Sequence, residues 1–179
     1  MGGDKTRRKL MDPTLLHQFR QQLATWIETR LEQRLPFQRL ELCPETVTDQ
    51  GVLTPDLVLW INRDSQLAGS MILLPDVVDD QALAEGVSLA KALGLGHFTI
   101  WAAREVSIWN LTDGKPGLMH ALPLPPANRV LPEDFQRTLD ELLERLKIVS
   151  VTSTPPATKY SVHYFANLCL RNLQELTPG

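Results

Sequence analysis

The most extended regularity in this chain is a run of apolar residues at helical spacing near its start. They recur every three or four positions from Leu15 to Leu35, after the helix-opening pair Asp12-Pro13 and before Pro36. This spacing predicts a long amphipathic helix that packs one face on a core. We expect its opposite, charged face to be solvated, and that face carries Arg20, Glu28, Arg30, Glu32 and Arg34.

Alternating and uninterrupted apolar runs follow, and both patterns are typical of strands. Residues 37–43 alternate apolar and polar, which predicts a half-buried strand, and residues 44–51 read as a polar loop. Two runs rich in branched residues, Pro55–Ile61 and Leu67–Pro75, flank the turn-forming residues 62–65. This arrangement predicts a β-hairpin.

Helix and strand patterns alternate through the rest of the chain. Small residues within the next predicted helix would let it lie close against a sheet, and Gly94 would end it. The predicted segments are, in order, a helix over 79–93, strands over 97–101 and 105–111, a turn at 113–114, a proline-rich surface passage at 123–126 and an amphipathic helix from about Pro132.

Composition divides the chain into a central domain with appendages. We expect the last helix to dock on its own domain, on a second copy or on a further domain, and the chain to be the first domain of a longer protein. The predicted boundaries are a flexible tail at 1–11 with the basic run Lys5–Lys9, a domain at 12–150, a linker at 151–158 and a C-terminal helix at 159–179.

The length, composition and net charge of the chain favour an ordinary globular domain. Of the 179 residues, 43% are hydrophobic and 22% charged, and the net charge of -3 gives no general attraction to nucleic acid. No run reaches the roughly 18 apolar residues of a membrane span, and no signal peptide is recognisable. Cys43 and Cys169 lack metal-ligand spacing and predict free thiols. We therefore expect a cytoplasmic protein that does not associate with membranes.

Asp56 is the residue that most strongly suggests chemistry. It is the only charged residue in the predicted strand Pro55–Ile61. A carboxylate at the mouth of a buried strand is costly unless it binds a cation, accepts hydrogen bonds or is protonated. Asp56 is thus a candidate metal ligand or catalytic acid, and its alternatives are a structural cap on backbone groups or a polar contact with a partner.

The order helix, strand, hairpin, helix, strand, strand over residues 13–111 resembles the restriction-endonuclease-like core. Pro55-Asp56, followed by the apolar residues 57–59, looks like the "PD" half of the PD-(D/E)XK signature. The continuation through residues 104–109 is similar to N-terminal domains of type I restriction subunits. The resemblance implies an α/β fold with a mixed sheet of about five strands flanked by helices.

The resemblance also implies a chemistry that this sequence does not complete. In active members, the acid after the proline and an acid on the next strand hold Mg²⁺, and a lysine two residues further positions the attacking water. The corresponding positions here are Ile72 and Leu74, which cannot do this work. We therefore expect a catalytically silent domain without a cofactor, acting as a binding or scaffolding module of a DNA-handling protein. Its partners would be DNA or a larger restriction-type assembly.

Two alternatives stay open. The first is an active Mg²⁺-dependent nuclease whose acid and lysine have migrated to the helix after the hairpin. Glu85 and Lys91 are then the catalytic candidates together with Asp56, and Asp76, at the end of the second hairpin strand, is a further candidate metal ligand. The second alternative is a dimerisation module that forms a homodimer through the C-terminal helix.

Overall fold

The computed structural model describes residues 12–31, 36–61, 69–125, 131–152 and 162–176. These residues form helices on both sides of a sheet, together with a small separate ribbon. The elements are α1 (Pro13–Leu31), β1 (Arg39–Leu42), β2 (Thr46–Thr48), β3 (Gly51–Leu53), β4 (Leu57–Trp60), β5 (Gly69–Leu73), α2 (Asp80–Leu93), β6 (His97–Trp101), β7 (Glu105–Thr112), β8 (Lys115–Pro123), α3 (Pro132–Thr152) and α4 (Val162–Leu176).

The main sheet is mixed and has the strand order β1-β4-β5-β6-β7-β8. Neighbouring strands run antiparallel except β5 and β6, which are parallel and are joined by α2. A parallel pair needs such a crossover, because its strands begin at the same end of the sheet. The predicted α/β class and the mixed, helix-flanked sheet are confirmed.

The strand count differs from the prediction, since the sheet has six strands and not about five. The missed strand is β8, whose prolines resemble turn and surface residues. Pro116 and Pro123 are tolerated because β8 is the last strand of the sheet, where a missing N–H can face away from the ladder. The predicted polar loop at 44–51 is also wrong in part: β2 lies within it and pairs with β3.

Two layers of apolar side chains hold the helices on the sheet. Leu57 and Leu59 of β4 face α1 and α3, whereas Val58 and Trp60 face α2. All four side chains are fully buried, because helices cover both faces of this strand. This explains why the β4 sequence is apolar throughout and does not alternate.

Local signals fix α2 where the sequence predicts it. Asp79 caps the first turn by accepting a 2.9 Å hydrogen bond from the backbone N–H of Ala82. Gly94 ends the helix in the left-handed conformation, with φ of 69°. Gly86 allows the close approach to the sheet, since a Cβ atom there would lie 2.4 Å from the ring of Phe98.

The C-terminal helix α4 is anchored on the ribbon and on α2. The Asn167 side chain accepts a 2.8 Å hydrogen bond from the backbone N–H of Val47 and donates a 3.0 Å hydrogen bond to its carbonyl oxygen. It also donates to the carbonyl oxygen of Ala92 at 3.3 Å. Asn167 therefore pairs with β2 much as a neighbouring strand would.

Several predicted segments lie partly or wholly outside the described residues. Helix α3 continues to Thr152, so the first two residues of the predicted linker are helical. The tail 1–11, the turn 62–65 and most of the predicted linker lie outside the described ranges. In the part of the chain that the structure describes, no helix is long and apolar enough to cross a membrane. Cys43 and Cys169 are free thiols.

Candidate functional site

Asp56 lies directly before β4, at the end of the sheet where β5 finishes. Its backbone carbonyl oxygen accepts a 3.1 Å hydrogen bond from the N–H of Cys43. Its side-chain Oδ2 accepts a 2.7 Å hydrogen bond from the N–H of Leu74, just beyond β5. The side chain is 15% exposed, so these contacts form in a largely shielded environment.

The guanidinium group of Arg20, on α1, binds Oδ1, the other carboxylate oxygen of Asp56. The Nε atom of Arg20 donates to Oδ1 at 2.8 Å, and a second guanidinium nitrogen contacts the same oxygen. The Arg20 side chain is 20% exposed. The predicted solvation of this helix face is therefore wrong at Arg20, and also at Arg30, which pairs with Asp140 of α3.

Glu85 of α2 is the second acid near Asp56. Partial burial raises the pKa of Glu85, and the negative charge of Asp56 raises it further. The structure thus brings these two sequence-predicted residues within electrostatic reach of one another. Cys43 belongs to the same cluster: burial raises the pKa of its thiol, Arg20 opposes that effect, and Asp56 adds to it.

The other two candidate residues are Lys91, on α2, and Asp76, which follows β5. Lys91 follows Glu85 by six residues, which turns its side chain by about 120° around the helix. Its Nζ lies near Gly114, in the turn between β7 and β8. There Lys91 lines an open cavity of about 370 Å³ along α2. Asp76 follows β5 and is partly buried.

Ile72 and Leu74 present hydrocarbon at the two positions where the PD-(D/E)XK signature would have an acid and a lysine. Ile72 is opposite Leu57 in the β4–β5 pairing and has no exposed surface, while Leu74 is 5% exposed. Both side chains belong to the core beneath α1 and α3. Within the described ranges, no three His, Cys, Asp or Glu side chains are grouped so that they could hold a metal ion.

Arg20 is the residue of this cluster that sequence reasoning missed, although its position carries a signal. It follows Leu16 by four residues and precedes Leu23 by three, so it lies within the apolar stripe of α1. Leu23 is fully buried, and Leu16 packs against the same core. A charged residue inside such a stripe needs a buried partner, and Asp56 is that partner.

The fold of this chain has a counterpart among solved structures. No protein-family model and no curated protein sequence matches the chain. It is similar to the crystal structure of the type IIG restriction endonuclease BpuSI, with a TM-score of 0.53 and 13% sequence identity. The match covers 86% of this chain but only 18% of the BpuSI chain. The chain therefore has a restriction-endonuclease-like fold.

Proposed function

We propose that this chain is a catalytically silent nuclease-fold domain that serves as a binding or scaffolding module of a DNA-handling protein. The observation that carries the proposal is the ion pair between Arg20 and Asp56. The acid that would begin the metal site is already neutralised by a cation of the protein itself. In this reading, Arg20 takes the electrostatic place of Mg²⁺ and the pair has become part of the fold.

The donor set around Asp56 supports this reading. A carboxylate offers about four lone-pair positions, and Asp56 uses three of them for N–H groups of Arg20 and Leu74. A divalent cation entering here would displace the guanidinium or share the site with it, against charge repulsion. The neighbouring strand supplies only Ile72 and Leu74, which have no ligand atoms in their side chains. These residues do not fit a Mg²⁺ site of the nuclease type.

The DNA-related part of the proposal rests on the similarity of the fold to a restriction endonuclease. Acidic side chains outnumber basic ones in the described ranges, and the basic run Lys5–Lys9 lies outside them. Phosphate contacts supply most sequence-independent affinity for DNA. We therefore propose that this domain assembles with other parts of a DNA-handling protein and does not itself bind DNA strongly.

A plasmid-nicking assay with Mg²⁺ or Mn²⁺ tests catalytic silence. Wild-type protein and Asp56→Ala should leave supercoiled DNA equally intact, and any trace nicking should be the same in both. Asp140→Ala is the matched control, because it removes the acid from another ion pair made by α1, the pair with Arg30. Nicking by the wild type and by Asp140→Ala that is absent in Asp56→Ala would refute the proposal.

One observation favours the second candidate function, an Mg²⁺-dependent nuclease with a migrated acid. Glu85 approaches Asp56 closely enough for the Asp56 charge to raise its pKa. Paired acids with perturbed pKa values are frequent at catalytic sites. Here the adjacent cation is Arg20 and not Lys91, so Arg20 would have to move to admit the metal. This candidate predicts nicking that is lost in both Asp56→Ala and Glu85→Gln.

A further inference from the structure

We draw no further inference here: the strongest candidate, the open cavity along α2 beside the β2–β3 and β7–β8 turns, is lined by the acids Asp49 and Asp80 as well as by Lys91 and Lys115, so its charges favour no single class of ligand.

Discussion

The ion pair between Arg20 and Asp56 should make a measurable contribution to stability, and a double-mutant cycle isolates it. Arg20→Met removes the guanidinium but keeps an apolar stem, and Asp56→Asn keeps an oxygen that can accept from the N–H of Leu74. The cycle therefore removes the charge attraction with little change in shape. The variants are Arg20→Met, Asp56→Asn and the combination of the two.

Burial sets the expected magnitude. Exposed ion pairs contribute about 0–1 kcal/mol, and breaking a fully buried pair costs about 3–5 kcal/mol. Side chains that are 20% and 15% exposed lie between these limits, so we expect a coupling free energy of about 1–2 kcal/mol. Each single variant should lower the free energy of unfolding by about 1–3 kcal/mol, since it leaves one shielded charge without its partner.

Urea unfolding followed by tryptophan fluorescence measures each corner of the cycle, because Trp60 and Trp101 are buried in the core. The pair between Arg30 and Asp140 is the matched control, since it also joins two elements but its acid is 58% exposed. Its coupling should be below about 0.5 kcal/mol. A coupling at Arg20 and Asp56 no larger than this control would refute the claim that their ion pair is a structural element.

Other predictions concern buried polar groups. Glu85→Gln should stabilise the protein at pH 7, and this effect should disappear as the pH falls towards 4.5, the ordinary pKa of Glu85. The reason is that the pKa of Glu85 is raised in the folded protein, so ionisation of this side chain opposes folding above its ordinary pKa. An effect on the urea midpoint that does not change with pH would contradict this prediction. Wild-type stability should fall between pH 6.5 and 4, because burial lowers the pKa of His97 to about 4. In this pH range the unfolded chain protonates His97 readily and the folded chain does not. The decline in the free energy of unfolding should therefore be shallower in His97→Gln. Thr99→Val should be neutral or stabilising by about 1 kcal/mol, because the buried Thr99 hydroxyl has no hydrogen-bond partner among the described residues. Thr46→Val should instead destabilise by about 1 kcal/mol, because it removes a 3.0 Å hydrogen bond to the carbonyl oxygen of Pro44. Equal shifts in melting temperature for the two variants would contradict this prediction.

The parts of the fold that could be predicted from sequence are those specified by neighbouring residues. The range of α2 follows from the Asp79 cap and from Gly94, and β6 follows from its apolar run. The strands that were missed depend on distant partners. Helix α4 satisfies the backbone of β2 through Asn167, and β8 pairs along β7 in spite of its prolines.

The same distinction between local signals and distant partners applies to the candidate site. Asp56 could be identified because a carboxylate at the mouth of an apolar strand is unusual in any fold, and Glu85 because helix α2 is well defined by its sequence. The role of Arg20 required knowledge of how α1 is rotated on the sheet. A residue in an apolar stripe can be recognised as anomalous from sequence, but its partner, 36 positions away, cannot be read from the pattern alone.

Calorimetric titration of Mg²⁺ and Mn²⁺ into the wild type and into Asp56→Ala tests the central claim most directly. If Arg20 has replaced the metal, the two proteins should give the same small heats, with no saturable binding that depends on Asp56. Saturable binding to the wild type that disappears in Asp56→Ala would contradict the account and support the migrated-site nuclease.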